Sequence, residues 1–460
     1  MADDEAAPPE RDHSGIREPS RAELSRVATA SCVGTTIEWY DFFIYGTAAA
    51  LVFPTVFFPA LGEVAGTVAS LSTLGVAFVA RPLGALVCGH YGDRYGRKNT
   101  LIATLLLMGL ATVLIGLLPT ANTIGVAAPL LLVVLRLLQG IAVGGEWAGA
   151  NLLTAEYAPR GRRGFYAVFP QLGPALAFML SSATFLVVDT TIASDSAAFL
   201  SYGWRVPFVC SALLVVIGLW VRVAIDETPD FRRRTAEDRA ADRRPTRTPL
   251  RTVFAEQGRE VLLGGGAVTI LFTLFYVATA YLTSYGTSMQ GAGLDRSTVL
   301  SLGVVGGAVL AVATIAGGIW SDHFGRRRTI VAGFIATVPI TLVLFAWLGT
   351  GSAVAFGATL AIILALYGIA YGPTGAFLPE LFRSEHRYTG AGIAYNLGGI
   401  LGGAVVPPLA VSLASSVGVL AVGVLIALLG LVSLGCVLLL PESAPGRSRL
   451  RAHDTDPLST

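Results

Sequence analysis

The sequence predicts an all-α polytopic membrane protein in which twelve transmembrane helices form two six-helix halves. Three observations predict this fold: the hydropathy of the chain, the spacing of its apolar runs, and a duplicated pair of motifs. Of the 460 residues, 53 % are hydrophobic and 13 % are charged, and the mean hydropathy is +0.67. Soluble domains carry about 25 % charged residues, so the composition indicates a protein built for a lipid bilayer.

Apolar runs long enough to span a bilayer, about 20 residues, recur along the whole chain. Glycine, proline, asparagine and aspartate, which favour turns, separate them. The twelve predicted spans are 27–54, 64–89, 98–118, 126–156, 164–188, 204–225, 261–288, 297–320, 328–348, 353–381, 387–415 and 417–440.

Basic residues set the predicted orientation. The two tails and the even-numbered connections hold 27 of the 32 lysines and arginines. The odd-numbered connections hold only Arg296, with Arg205 at a helix edge. By the positive-inside rule, both termini are cytoplasmic and the chain is a multi-pass protein of the cell membrane.

Polar segments divide the chain into five regions. Residues 27–225 and 261–440 are the two six-helix halves, and residues 226–260, which carry mixed charge and no apolar face, are a cytoplasmic linker. Residues 1–26 and 441–460 are rich in polar and charged residues, so we expect disordered cytoplasmic tails. The first 26 residues lack the pattern of a cleaved signal peptide.

Two motifs recur at matched positions in the halves. The segments "GHYGDRYGRKN" (89–99) and "GIWSDHFGRRR" (318–328) share G-x-x-x-D-x-x-G-R-[KR] at an offset of 229 residues. The segments "EYAPRGRRGFY" (156–166) and "ELFRSEHRYTG" (380–390) both place an arginine seven residues after a glutamate, at an offset of 224. Matched repeats of this length indicate a duplicated six-helix unit.

The stretch "IEWYDFFIYG" (37–46) places Glu38 and Asp41 inside the first predicted span. A charge at the centre of a membrane helix costs about 2.5–3.5 kcal/mol, so such residues mark functional sites by default. Residues three apart lie about 60° apart around a helix, and these two carboxylates therefore share one face. The other ionisable residues at membrane depth are Arg81, Arg136 and Glu146, all in the N-terminal half.

A carboxyl group in a low-dielectric environment can load and release a proton near neutral pH. We assign Asp41 as the first candidate for a proton carrier, with Glu38 and Glu146 next, from depth and spacing alone.

Arg136 has three open roles. It can pair with Asp41 or Glu38, bind a substrate carboxylate bidentately, or form a permanent ion pair that only fixes helix packing. Arg81 is a second anion anchor or a structural residue that pairs with a carboxylate on the first helix. The predicted substrate-binding residues are Arg136, Gln139, Arg81, Tyr45, Tyr276 and Asn396.

Several function classes lack support in the sequence. The five histidines all lie outside the apolar spans, and the four cysteines have no metal-ligand spacing. We therefore expect neither an enzyme nor a metal or cofactor site. The phosphate-binding G-x-x-x-x-G-K-[ST] motif of a primary pump is absent, since Lys98 precedes Asn99. The arginines follow the topology and do not indicate a nucleic-acid partner.

The six-plus-six layout with its repeated G-x-x-x-D motif resembles the major facilitator superfamily across nearly the whole chain. Within it, "GTTIEWYDFFIYG", "LRLLQGIAVGGEW", "GWRVPF" and "YTGAGIAYNLGG" resemble the metabolite:proton symporters and are most similar to their shikimate-type branch. Asn99 and His323 depart from the superfamily motif.

This resemblance implies proton-coupled uptake of a small organic acid, shikimate-like or a dicarboxylate, by alternating access. The implied partners are this anionic or zwitterionic small molecule, a proton and the bilayer, and we expect a monomer. Two alternatives stay open: a proton-coupled permease for zwitterionic osmolytes such as proline and betaine, and a membrane sensor that no longer transports.

The resemblance also implies that the repeated motifs form a cytoplasmic gating network. Asp93 and Arg97, one helical turn apart, would exchange partners as the cytoplasmic side opens and closes. The predicted gating residues are Gly89, Asp93, Arg94, Gly96, Arg97, Asp322, Gly325, Arg326, Glu156, Arg163, Glu380 and Arg387.

Overall fold

The structure, a computed structural model, describes residues 21–95, 97–144, 163–192, 196–224, 250–383 and 386–442. Within these ranges the chain forms twelve long helices. The first half consists of α1 (Arg21–Leu51), α2 (Glu63–Tyr95), α3 (Arg97–Leu117), α4 (Ala127–Val143), α5 (Arg163–Val187) and α6 (Arg205–Ala224). The second half consists of α7 (Leu250–Tyr276), α8 (Arg296–Phe324), α9 (Arg326–Leu348), α10 (Ala353–Glu380), α11 (Arg387–Gly398) and α12 (Val419–Leu438).

Three of these helices continue through π-helical segments. Helix α5 runs on through Val188–Ile192, and α7 runs on through Val277–Tyr281 into Leu282–Thr287. Helix α11 runs on through Gly399–Ala404 into Val406–Ser416. Such segments are rare and occur often at functional sites.

Each of the twelve predicted spans overlaps one of these helices within the described residues, which confirms the predicted fold class. Nine of the described helices are long and apolar enough to cross a membrane by length and composition alone. The other three are α1, which carries Glu38 and Asp41, and the shorter apolar stretches of α3 and α4, Ile102–Leu117 and Ala127–Val143.

Some helix ends differ from the predicted ones. Helix α2 extends to Tyr95, past the predicted end at residue 89. The prediction followed the apolar span, whereas the helix continues into the polar residues that follow it. Helix α7 begins at Leu250, so the last part of the predicted linker is helical, with a break at Gln257 (φ −133°, ψ 28°). The described part of α4 ends at Val143, and the predicted residues Glu146, Glu156 and Gly96 lie outside the described residues.

The two halves meet mainly through α5 with α8 and α2 with α11, and α5 also contacts α10 and α1 contacts α7. Glycines let α8 approach α5 closely: a Cβ added at Gly303 would lie 2.7 Å from Oγ of Ser182, and one at Gly307 would lie 2.8 Å from Cβ of Met179. Small residues allow such backbone approach in membrane helix pairs. These contacts close the middle of the bundle between the halves.

The end of the bundle where α1 begins and α12 ends is here called the terminal face. There, Oδ2 of Asp322 accepts a hydrogen bond from the backbone N–H of Phe165 in the other half (3.0 Å). Gly325 follows α8 with φ +98°, a left-handed conformation that favours glycine. The second copy of the repeated motif therefore contacts the first half directly.

Glu380 forms a salt bridge with Arg326. The sequence had placed Glu380 beside Arg387 in one network, but among the described ion pairs Glu380 has Arg326 as its partner. Helix α10 ends at Glu380 beside the start of α9, whereas Arg387 begins the next helix. Nε of Arg387 has no hydrogen-bond partner among the described residues.

The first copy of the motif lies on the last turns of α2 and the start of α3. The structure does not describe the surroundings of five predicted gating residues, namely Gly89, Asp93, Arg94, Arg97 and Arg163. Their predicted gating roles therefore stay predictions.

The opposite face carries its own contacts between the halves. Nη1 of Arg296, at the start of α8, forms a salt bridge with Oδ1 of Asp189 (2.7 Å), just after α5. The same guanidinium stacks 3.8 Å from the ring centroid of Phe199. The Ser288 hydroxyl donates to Oε1 of Glu63 in the first half (3.0 Å). Both faces of the bundle are thus joined across the halves.

Helices α2 and α4 are in backbone contact through glycines. A Cβ added at Gly84 would meet the Ile141 carbonyl, and one added at Gly144 would meet the Arg81 carbonyl. This close contact fixes α2 against α4, and with them the two arginines that these helices carry.

We expect Gly84→Ala to destabilise the protein by about 1–3 kcal/mol, because the added methyl overpacks against backbone that cannot move aside. The measurement is the thermal unfolding midpoint in detergent. Gly46→Ala is the matched control, since Gly46 lies in α1 with nothing within 4 Å of an added Cβ. Equal midpoints for the two variants would contradict the close α2–α4 contact.

We expect Asp189 and Arg296 to be coupled by about 1–2 kcal/mol, because both side chains are largely shielded from solvent. In a double-mutant cycle, the unfolding midpoint of the double variant Asp189→Asn, Arg296→Gln should fall no further than that of the less stable single variant. The exchanged pair Asp189→Arg with Arg296→Asp should recover stability. Asp295→Asn is the control, because Asp295 is a neighbouring carboxylate that is exposed. If the stability losses of the two single variants simply add in the double variant, the coupling is refuted.

Candidate functional site

Asp41 lies on α1 with 1 % of its surface exposed. Its Oδ2 accepts a hydrogen bond from the hydroxyl of Thr112 on α3 (3.0 Å). Its Oδ1 makes no hydrogen bond among the described residues, and the Ser211 hydroxyl on α6 is a second donor near the carboxyl group. One carboxylate oxygen is therefore held by the protein, and the other is available to carry a proton.

A chain of hydrogen bonds connects Asp41 with Arg136. Nη1 of Arg136 donates to Oε1 of Gln139 (2.9 Å), and Nε2 of Gln139 donates to Oγ1 of Thr112 (2.8 Å). Thr112 in turn donates to Asp41. Among the described ion pairs, Arg136 makes none with Asp41 or Glu38, so the direct pair considered from the sequence is replaced by a bridge of two neutral side chains.

The Phe42 ring lies between the two buried arginines. Arg136 lies over the rings of Phe42 and Tyr45, with its Cζ 4.0 and 3.9 Å from their centroids. Arg81 lies over Phe42 and Phe78 at 4.9 and 4.4 Å. Aromatic faces attract cations, and the attraction grows when the cation is removed from water. The attraction to these rings therefore offsets part of the hydration free energy that the guanidinium groups lose on burial.

Arg81 is the second buried guanidinium of this region. It is 4 % exposed, and its Nε has no hydrogen-bond partner among the described residues. No described carboxylate forms an ion pair with it. The phenols of Tyr276, Tyr395 and Tyr371, all in the other half, lie near its guanidinium. A buried cation of this kind is suited to bind an anion that enters between the halves.

Beside Arg81, side chains from α1, α7, α10 and α11 line a cavity that is here called the aromatic pocket. Its ring faces are stacked: the centroids of Phe275 and Tyr367 are 4.8 Å apart, and those of Tyr367 and Tyr371 are 4.7 Å apart. The hydroxyls of Tyr371 and Tyr395 are 3.5 Å apart. The lining residues are Trp39, Val268, Leu271, Phe272, Phe275, Tyr367, Tyr371 and Tyr395.

The structure brings most of the predicted site residues into one region. Asp41, Arg136, Gln139 and Tyr45 are joined by the contacts above, and the Tyr45 hydroxyl also donates to Thr73 on α2 (2.6 Å). Arg81 and Tyr276 complete this group across the halves.

Two of the predicted residues lie at its edge. Glu38, one helical turn before Asp41, is half-buried. Asn396 is also half-buried and is absent from the pocket lining, whereas its neighbour Tyr395 lines it.

Several residues of this region were not selected from the sequence. Thr112 is one of three threonines in α3, and no local signal distinguishes it from the others. The rings of Phe42, Phe272 and Phe275 are as apolar as lipid-facing phenylalanines, and only the helix rotation shows that they face inward. Tyr371 and Tyr395 did carry a signal, since a phenol at membrane depth needs a polar partner.

Comparison with known proteins places the chain in a family. The model of the family described as "Sugar (and other) transporter" matches residues 27–445. The inner membrane metabolite transport protein YhjE of Escherichia coli (strain K12) is 44 % identical over 428 residues, which cover 91 % of this chain and 94 % of that protein.

Two further relatives from the same organism extend this similarity. The shikimate transporter is 38 % identical over 88 % of this chain and 90 % of its own length. The proline/betaine transporter is 31 % identical over 86 % of this chain and 78 % of its own length.

Solved structures share the fold. The D-xylose-proton symporter matches with a TM-score of 0.69 over 91 % of this chain and 98 % of that one, at 17 % identity. The xylose transporter XylE from E. coli, in a partially occluded inward open conformation, matches with a TM-score of 0.68 over 92 % and 99 %, at 16 % identity. The chain therefore belongs to the sugar (and other) transporter family of the major facilitator superfamily and is a membrane transporter.

Proposed function

We propose that the protein is a secondary active transporter that takes up a small organic acid together with a proton by alternating access. We place it in the inner or plasma membrane as a monomer, with both termini, and hence the terminal face, in the cytoplasm. The observation that carries this proposal is Arg81, a buried guanidinium without a carboxylate partner among the described residues, beside a buried Asp41 that is linked to Arg136.

The proposed anion site lies between Arg81 and the phenols of the second half. A carboxylate placed there would gain charge-assisted hydrogen bonds from Arg81 and hydrogen bonds from Tyr276, whose hydroxyl has no partner among the described residues. Because Arg81 belongs to α2 and Tyr276 to α7, the bound anion would hold the two halves together. This geometry supports a substrate that is released only when the halves move apart.

The proposed proton site is Oδ1 of Asp41. Burial disfavours a lone carboxylate, so the charge on Asp41 is tolerated while the positive field of Arg136 and the Thr112 hydrogen bond compensate it. An incoming anion would compete for that positive charge. Uptake of a proton by Asp41 would then restore the charge balance of the site, which couples the proton to the substrate.

The relatives support a metabolite with a carboxylate group, since they include a shikimate transporter and a proline/betaine transporter. Two buried arginines favour a net anion. One observation favours the second candidate, a zwitterionic osmolyte: the aromatic pocket is lined by tryptophan and tyrosine rings, the residue types that bind quaternary ammonium groups.

Uptake into proteoliposomes with an imposed pH gradient tests the proposal. The assay uses a panel of labelled carboxylates and osmolytes, with and without a protonophore. We expect accumulation of at least one anion that collapses when the protonophore is added. Binding without accumulation would instead indicate a sensor, and accumulation only of betaine or proline would indicate the osmolyte permease.

We expect Asp41→Asn to lower the ratio of pH-driven accumulation to substrate exchange at least tenfold. The asparagine keeps the size of the side chain and an oxygen that accepts from Thr112, but an amide does not bind or release a proton near neutral pH. Glu38→Gln is the matched control, because it removes the other carboxylate of the same helix face. An unchanged ratio in Asp41→Asn would refute the assignment, and a collapse in Glu38→Gln alone would move it to Glu38.

We expect Arg81→Met to weaken binding of the anion at least tenfold while the unfolding midpoint stays equal or rises. The methionine fills a similar volume and removes a buried cation that has no compensating carboxylate among the described residues. Arg326→Met is the control, since it leaves Glu380 without its ion-pair partner and should lower the midpoint. A large loss of stability in Arg81→Met would indicate a structural role for Arg81.

A further inference from the structure

Thr112 is the one member of the hydrogen-bond chain that can change its bonding when Asp41 gains or loses a proton. Its single hydroxyl hydrogen has two acceptors within reach, Oδ2 of Asp41 at 3.0 Å and the carbonyl of Met108 at 2.9 Å. A hydroxyl carries one hydrogen, so it can serve one of them fully at a time. Thr112 is fully buried, so competition from solvent is removed.

The direction of the chain is set by its two ends. The guanidinium of Arg136 can only donate, so the atom of Gln139 that it contacts is the amide oxygen. The amide nitrogen of Gln139 therefore points at Thr112 and donates to Oγ1. Because Thr112 accepts from Gln139, its own hydrogen is left for Asp41 or Met108.

We propose that Thr112 is a positioning residue that carries the charge state of Asp41 to Arg136 through Gln139. An ionised Asp41 draws the Thr112 hydrogen, because hydrogen bonds to a charged acceptor are about twice as strong as neutral ones. The chain from Arg136 to Asp41 then runs between a cation and an anion, and each bond polarises the next.

A proton on Asp41 removes the charged end of this chain. The Thr112 hydrogen then turns to the Met108 carbonyl, and the bonds from Arg136 to Gln139 and from Gln139 to Thr112 lose their polarisation. Nε and Nη2 of Arg136 already have no hydrogen-bond partner among the described residues. Protonation of Asp41 thus frees the positive charge of Arg136 for an anion in the site, and the inference rests on the proposed function.

The test compares Thr112→Val with Thr112→Ser. Valine keeps the shape of threonine and lacks the hydroxyl, whereas serine keeps the hydroxyl and lacks the methyl group. Thr337→Val is the matched control, because Thr337 is fully buried in α9 and its hydroxyl donates only to the Gly333 carbonyl of its own helix (2.8 Å). For each variant, pH-driven accumulation and substrate exchange are measured in proteoliposomes across a pH series.

We expect Thr112→Val to lower the ratio of accumulation to exchange at least fivefold and to shift the midpoint of its pH profile upward, because the ionised carboxylate has lost a donor. Thr112→Ser should restore both quantities to within about twofold of the wild type, and Thr337→Val should leave both unchanged. A merely structural role would lower expression and stability without moving the pH midpoint.

The outcomes separate this inference from the proposed function. If the wild type accumulates substrate and Asp41→Asn abolishes accumulation, but Thr112→Val retains the wild-type ratio and midpoint, the inference is overturned and the proposed function stands. If the wild type shows no proton-driven accumulation, both fail. If Thr112→Val does not fold, Thr112→Ala replaces it, and a wild-type pH midpoint in Thr112→Ala overturns the inference.

Discussion

The structure depends on one constraint: charges that are buried in a membrane bundle must be compensated within the bundle. Asp41, Arg81 and Arg136 are each less than 5 % exposed, and the desolvation of such ions costs several kcal/mol each. Arg136 and Asp41 are compensated by a bridge through Gln139 and Thr112 and by stacked aromatic rings. Arg81 has rings on one side but no carboxylate among the described residues. In the proposed function, this incomplete compensation allows the site to bind an anion.

The packing of the bundle keeps these charges away from water. Close backbone contact between α2 and α4 sets the relation of Arg81 to Arg136, and the α5–α8 pair closes the space between the halves. Contacts join the halves at both faces, Asp322 with Phe165 at the terminal face and Arg296 with Asp189 at the opposite face. Contacts among the described residues therefore join the halves at both ends of the bundle. In the proposed alternating-access mechanism, opening of either side would require the contacts of that face to break.

The sequence predicted the fold better than the site. Hydropathy and the repeated motifs were sufficient for twelve helices, since the bilayer imposes one span length on every helix. Depth and spacing selected Asp41, Arg136 and Gln139. The partners could not be predicted, because they depend on how helices rotate: Thr112 bridges two elements, and Glu380 contacts Arg326 across a helix junction. For Arg81 the sequence left an anion anchor and a structural role open, and the structure gives it no ion-pair partner among the described residues.

The central claim is that anion binding at Arg81 and proton binding at Asp41 are linked within one site. The most direct measurement records substrate uptake and proton flux together in proteoliposomes that start without any pH gradient. We expect an inward gradient of the transported acid to drive protons into the vesicles in a fixed ratio to the substrate, and Asp41→Asn to abolish this proton flux. Substrate uptake by the wild type without accompanying proton flux would contradict this claim.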